Sequence, residues 1–142
     1  MRIAILVSGR GSNMKALVEK LEQTAAQLVL VGADKACEGL DWADGEGYTT
    51  WCSPKPYQES QLHNALAEAR VDLICLAGFM RILSKEFVSK WEGRIINIHP
   101  SLLPAFPGLD THARAVKTGV KFHGCTVHYV DAGMDTGQII DQ

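Results

Sequence analysis

The stretch Asn97-Ile98-His99-Pro100 holds the residue types best suited to chemistry. Asn97 and His99 sit two apart at the end of an apolar run, Arg94 to Ile98. In a strand, residues two apart face the same way, so both point to one layer while Ile96 and Ile98 point to the other. Pro100 ends the strand and fixes the path out of it. A carboxamide beside an imidazole can aim two hydrogen-bond donors at an oxygen that is gaining negative charge. Taken singly, Asn97 also reads as a turn residue and His99 as a satisfied core histidine. Downstream, Asp135 lies in the loop Asp131-Ala132-Gly133-Met134-Asp135-Thr136-Gly137, where an Asp-x-Gly turn is its plain structural role and Asp131 can serve likewise. An Asp135 carboxylate facing His99 would favour the charged imidazole and make it a usable acid near neutral pH.

A second chemical segment, Val7-Ser8-Gly9-Arg10-Gly11-Ser12-Asn13, follows an apolar strand and opens a helix. Gly9 and Gly11 permit a tight turn and close approach of a ligand. A helix start offers free N–H groups and partial positive charge, which favour a phosphate. Ser12 and Asn13 add side-chain hydrogen bonds, and either can cap the helix; the same features also make a turn with no ligand. The third glycine of a dinucleotide loop is replaced by Met14, and no Gly-Lys-Ser/Thr follows. A phosphate monoester on a small metabolite therefore fits better than NAD or ATP.

These segments need a scaffold, and the pattern supplies one. Strands are expected at Ile3–Val7, Leu28–Val31, Tyr48–Trp51, Leu73–Leu76, Arg94–Ile98, Thr126–Val130 and Gly137–Ile140. Helices are expected at Asn13–Leu21, with Met14, Leu17, Val18 and Leu21 on one face, and at Gln58–Ala69, Ser84–Trp91 and Thr111–Thr118. Ser84 is the expected N-cap of one, and Gly119 closes another. The Gly- and acid-rich Asp34 to Gly47 reads as loop with a short helix at most. The alternation implies a mainly parallel sheet wound on both sides. In such sheets ligands sit beyond the carboxyl ends of the strands.

Composition narrows the class. The chain has 142 residues, 14 Lys+Arg against 16 Asp+Glu, and a formal charge of -2. That balance argues against a dedicated nucleic-acid binder. The longest apolar run, Leu73 to Met80, is far below the roughly 20 residues of a membrane span, and the opening segment is too short for a secretory signal. Cys37, Cys52, Cys75 and Cys125 form no C-x-x-C pair, so four reduced thiols in a cytoplasmic protein are expected. His63 reads as a solvated surface residue, His112, His123 and His128 as structural hydrogen-bonders, and Trp42, Trp51 and Trp91 as packing.

With these segments assembled, the chain resembles the phosphoribosylglycinamide formyltransferases, folate-dependent formyltransferases of purine biosynthesis. The likeness is densest in Ser8–Asn13, Leu76–Leu83, Asn97–Gly108 and His123–Ile140. It implies an α/β fold, a Rossmann-like, mainly parallel sheet with helices on both faces, as one formyltransferase domain over residues 1–142. It implies transfer of the formyl group of 10-formyltetrahydrofolate to the amine of glycinamide ribonucleotide, in the pathway to IMP. His99 would then be the proton donor, tuned by Asp135, with Asn97 beside it. Gly11, Ser12 and Asn13 would hold the ribonucleotide phosphate, and Ile98 and Pro100 would line the glycinamide end. Met80, Arg81, Ile82 and Leu83 would clasp the pterin through backbone groups, and the Asp131–Asp135 loop, with Met134, would cover its other side. Leu76, Phe79 and Val88 would be apolar walls, Asn97 would also touch the formyl donor, and Lys55 would stand where the family often has an Arg near the folate tail. The likeness implies no tightly bound cofactor, no metal, only small-molecule partners without nucleic acid or membrane, and a monomer or homodimer.

The family usually continues past Ile139-Ile140-Asp141-Gln142 with a further strand, a C-terminal helix and an acidic contact to the substrate, so the chain reads as C-terminally short. Two other readings stand beside the transferase. One is a hydrolase that releases formate from the same folate, against which the Ser8–Asn13 loop speaks. The other is a non-catalytic folate- or nucleotide-binding remnant. A methionyl-tRNA formyltransferase would need a basic extra domain, which this chain lacks.

Overall fold

A computed structural model describes residues 1–142, which fall into two compact units, Met1–Leu83 and Ser84–Gln142. In the first, β1 (Arg2–Val7), α1 (Ser12–Leu21), β2 (Gln27–Ala33), α2 (Glu38–Gly45), β3 (Thr50–Cys52), α3 (Glu59–Glu68) and β4 (Leu73–Leu76) alternate. The strands lie in the order β3-β2-β1-β4, and every pairing is parallel. Residue Ile5 of β1 pairs with Val31 on one side and Cys75 on the other. A strand flanked on both edges and covered on both faces must be apolar throughout, and Ile3 to Val7 are all buried. Burial also pushes the Cys75 thiol up to about 11.

Local chemistry differs from expectation at three places in this unit. Neither Ser12 nor Asn13 caps α1; Gly11 does, in the left-handed conformation at φ 74° with no side-chain cap. The buried face of α1 is carried by Met14 and Val18, one turn apart, while Leu17 stays exposed. The Asp34–Gly47 stretch holds a full helix, α2, which buries Gly39, Leu40 and Ala43. Two of those three side chains are too small to mark an apolar period. β3 also begins later than expected, at Thr50, because the Tyr48 N–H bonds the Ala43 carbonyl and closes the end of α2.

The second unit holds α4 (Lys85–Lys90), β5 (Ile95–His99), α5 (Thr111–Thr118), β6 (Thr126–Tyr129) and β7 (Ile139–Asp141). Ser84 caps α4 as expected, its hydroxyl accepting from the Phe87 N–H at 3.1 Å. Gly119 closes α5 at φ 77°. Here β5 pairs with β6, and β6 with β7, antiparallel. The link from β6 to β7 is too short for a crossover, which forces the antiparallel pairing there. The antiparallel register sets Asn97 opposite His128 and His99 opposite Thr126. Residues opposite each other share a face, so these four side chains lie on one side of the ribbon.

The Asp131–Gly137 loop reaches β6 through a close backbone approach. A Cβ at Gly137 would stand 1.7 Å from the Tyr129 carbonyl oxygen and 2.7 Å from its carbon. Gly137→Ala must therefore move the loop. A stability loss on the order of 1–3 kcal/mol, the usual cost of overpacking, is expected in denaturant titration.

Tyr57 gives a prediction of the opposite kind. Its hydroxyl is buried and has no hydrogen-bond partner. Burial first, and then the Glu59 charge, push it up to about 12 from the ordinary 10.0, although Arg81 acts the other way. The neutral phenol is the favoured form, so its contribution is complete below pH 10 and is lost as pH rises through about 12. Tyr57→Phe should raise neutral-pH stability by about 1 kcal/mol, because an unpaired buried hydroxyl is removed and no bond is lost. It should also abolish the titration step near 12 followed by ultraviolet absorbance.

Candidate active site

Asn97, His99 and Asp135 do come together in the second unit. His99 is buried at the end of β5, with Nδ1 3.4 Å from Asp135 Oδ2. Its Nε2 lies 2.9 Å from the Phe106 carbonyl oxygen, so Nε2 carries a hydrogen and donates it there. Asp135 Oδ2 also accepts from the Gly108 N–H at 2.8 Å. Asp135 adopts a left-handed backbone at φ 55°, which aspartate tolerates better than most residues. The carboxylate that could have served only its own turn is thus turned toward the histidine.

A fourth side chain completes the cluster. His128, on β6 and buried, places Nδ1 2.8 Å from the Tyr129 carbonyl and Nε2 3.2 Å from Asn97 Nδ2. A carbonyl can only accept, so Nδ1 is the donor, and Nε2 of the neutral ring accepts from the Asn97 amide. That fixes which end of the Asn97 amide is nitrogen. Asp135 Oδ1 stands 3.8 Å from the same Nε2, too far for a hydrogen bond. His128 is thus the hydrogen-bonder its sequence context predicts, but its register opposite Asn97 becomes visible only once the β5–β6 pairing is known.

The loop after Pro100 is held in place by its own polar groups. The Ser101 hydroxyl donates to the Ala105 and Phe106 carbonyls at 2.6 and 3.2 Å. Thr126, fully buried, donates to the Ser101 carbonyl at 2.7 Å and accepts from the Leu103 N–H at 3.0 Å. Arg114 of α5 donates to the Pro107 and Leu109 carbonyls and lies over the Phe106 ring at 5.7 Å. Phe106 and Gly108 serve through backbone groups, for which the sequence carries no signal. Asp131 plays a local part: its Oδ1 accepts from the Gly133 N–H and the Thr136 hydroxyl at 2.9 and 2.7 Å, shaping the loop. Met134 is exposed, Ile98 is half-buried, Pro100 is exposed and Val88 is buried on α4.

In the first unit, Gly11 is buried, while Ser12 and Asn13 are exposed at the start of α1. Their N–H groups fall in the first turn, where a helix offers no internal acceptor. Ser8 links this loop to the segment after β4. Its N–H donates to the Gly78 carbonyl at 3.2 Å, and its hydroxyl accepts from the Met80 N–H at 2.8 Å. The Met80 N–H is therefore engaged, leaving any backbone clasp in this segment to its other amides and carbonyls. Met80, Arg81 and Ile82 are exposed, Phe79 and Leu83 half-buried, and Leu76 buried. The Arg81 side chain pairs with buried Asp34 at 3.1 Å and lies over the Tyr57 ring at 5.2 Å. Asp34 Oδ1 is buried without a partner.

Lys55 is exposed. His63 is half-buried on α3 rather than fully solvated. His112 and His123 hydrogen-bond each other, Nδ1 to Nε2, at 3.0 Å on the surface. All four cysteines are free thiols. No group of three or more His, Cys, Asp or Glu side chains is gathered to hold a metal, and no helix is long and apolar enough to cross a membrane.

Comparison with known proteins bears on this arrangement. The family model described as formyl transferase matches residues 1–142. The chain is 48% identical over 152 residues to the trifunctional purine biosynthetic protein adenosine-3 of Drosophila pseudoobscura pseudoobscura, covering 99% of this chain but only 11% of that protein. It is 41% identical over 150 residues to the phosphoribosylglycinamide formyltransferase of Bacillus subtilis, covering 99% of this chain and 77% of the relative. The chain thus spans about a tenth of the trifunctional relative and most of the monofunctional one. The crystal structure of phosphoribosylglycinamide formyltransferase from Anaplasma phagocytophilum shares 45% identity at a TM-score of 0.93, covering 99% of this chain and 69% of that one. The α/β fold is therefore the one these enzymes share, and with the family model matching residues 1–142, this chain belongs to the formyl transferase family.

Proposed function

We propose that this chain carries out formyl transfer from 10-formyltetrahydrofolate to the amine of glycinamide ribonucleotide, a step of purine biosynthesis in the cytoplasm. The observation that carries the reading is the convergence of His99, Asp135, Asn97 and His128 on one face of the β5–β6 ribbon. The substrate class rests on the likeness to phosphoribosylglycinamide formyltransferases.

In the proposed reaction the substrate amine attacks the formyl carbon. A carbon–nitrogen bond forms, and the carbonyl pair moves onto oxygen. Asn97 offers the N–H not used by His128, and His99 offers its Nε2–H in exchange for the Phe106 carbonyl. Asp135 meanwhile holds Nδ1 and keeps the ring from turning. Collapse of the tetrahedral species breaks the bond from carbon to the folate nitrogen. The amine gives up one proton and the folate nitrogen takes one, so tetrahydrofolate leaves and the formamide remains. In the first unit Gly11, Ser12 and Asn13 hold the ribonucleotide phosphate; in the second, Ile98 and Pro100 serve its glycinamide end. For the folate, the first unit contributes Met80, Arg81, Ile82 and Leu83, and the second contributes the Asp131–Asp135 loop with Met134. Leu76, buried in the first unit, and Val88, buried in the second, are the apolar candidates for the folate, and Lys55 attracts the anionic tail as a point charge rather than a fork.

Incubation with both substrates, followed by folate absorbance, tests the reading. His99→Ala and Asp135→Asn should each lower the rate by on the order of 100-fold or more, with circular dichroism unchanged. Near-normal turnover in both variants would sink the assignment. Formate released at the same rate without glycinamide ribonucleotide would replace the transferase by a hydrolase.

A further inference from the structure

We propose that Gly39, on α2, is a positioning residue for the Gly9–Asn13 loop, and through it for the phosphate monoester of the ribonucleotide. The proposal rests on reading that loop as the phosphate site. The Gly39 N–H donates to the Gly9 carbonyl at 2.9 Å. A Cβ at position 39 would stand 2.9 Å from the Gly9 oxygen, 3.1 Å from Gly11 Cα and 3.2 Å from Gly11 N. Seen from the loop, a Cβ at Gly11 would stand 2.9 Å from Gly39 Cα. Two backbones therefore meet with glycine on both sides, and Gly39 is buried in the contact.

The contact has a chemical consequence. A carbonyl oxygen aimed at a phosphate would repel it, so a phosphate loop must turn its carbonyls away and its N–H groups outward. The Gly9 carbonyl is held by the Gly39 N–H, and the Gly11 carbonyl by the Lys15 N–H at 2.9 Å. With both acceptors occupied on the protein side, the N–H groups of Ser12 and Asn13 are left for an anion. α2 is itself anchored by buried Leu40 and Ala43, so the loop takes its position from a packed helix. The sequence showed the loop but not its support, because a glycine beginning a weakly periodic segment reads only as a breaker.

Gly39→Ala in the full chain is the direct test. The KM for glycinamide ribonucleotide and the inhibition constant of ribose 5-phosphate should rise about tenfold, as for the loss of one ordinary interaction. The kcat and the KM for the formyl donor should stay within about twofold of wild type, on the same order-of-magnitude reasoning. Gly45→Ala, on the same helix with nothing within 4 Å of the added carbon, should behave as wild type. An unchanged ribose 5-phosphate constant, or an equal loss in both KM values and kcat, overturns the proposal. Hydrogen exchange on the wild-type chain decides it even where the variant fails to fold. Ribose 5-phosphate should slow exchange at the Gly39 amide together with Ser12 and Asn13. Slowing at Ser12 and Asn13 alone refutes the role of Gly39 and keeps the phosphate loop. No slowing at any of the three refutes the loop itself.

Discussion

The Asp135 carboxylate accepts from the Gly108 N–H and stands beside His99 Nδ1, so a loop and the end of β5 meet on one side chain. Oδ2 accepts the Gly108 N–H at 2.8 Å and lies 3.4 Å from His99 Nδ1. The same Oδ2 makes both contacts, which places the backbone of residue 108 and the imidazole of residue 99 around one atom. The rest of the second unit maintains that arrangement. Ser101 and Thr126 shape the turn after Pro100, Arg114 draws the Pro107 and Leu109 carbonyls toward α5, and Asp131 closes the other loop on Gly133 and Thr136. Each bond is modest alone, about 1 kcal/mol net in a typical protein. Their common effect is to define where Asp135 and Phe106 stand, and therefore which oxygen each nitrogen of His99 meets.

Backbone conformation carries part of the same constraint. Phe106, Asp110 and Asp135 all have positive φ, at 54°, 55° and 55°. Aspartate tolerates the left-handed region, but a bulky residue does so only when its surroundings compel it. At Phe106 the surroundings are plain. Its carbonyl accepts from both His99 and Ser101, and its ring lies against Arg114 and, edge-on, His123. The unusual conformation aims a carbonyl at a histidine that must keep a proton on Nε2.

What could be read from the sequence divides along a physical line. Strands such as Leu73–Leu76 and helices such as Thr111–Thr118 announce themselves through side chains, by apolar runs, period and capping residues, and those elements stand where expected. The pairing of Asn97 with His99 on one face followed from the strand period alone. The closeness of Asp135 followed from family likeness, since nothing local separates its role from that of an ordinary turn residue. Features made by backbone groups left no trace. The cap of α1 is a glycine in a left-handed conformation rather than the Ser12 or Asn13 hydroxyl or amide. The helix over Glu38–Gly45 buries mainly small residues, so its period is faint. The antiparallel ribbon was hidden for a further reason. Strand–helix alternation ordinarily signals a crossover, but α5 lies between two strands that run in opposite directions.

That ribbon also explains why His128 belongs with the catalytic candidates. Its Nδ1 has the Tyr129 carbonyl as partner, and a carbonyl has no proton to give. The neutral ring must then present a lone pair at Nε2, and the nearest donor is the Asn97 amide. The chain of obligation runs from a backbone oxygen through an imidazole to a carboxamide, and each link allows one orientation. The Asn97 amide is thus held as a donor to the lone pair at His128 Nε2, whereas His99 donates from its Nε2 to the Phe106 carbonyl. Two histidines on one face of one ribbon are thus given opposite hydrogen-bonding roles by their partners at Nε2, which is the division that the proposed oxyanion site requires of its amide and its imidazole.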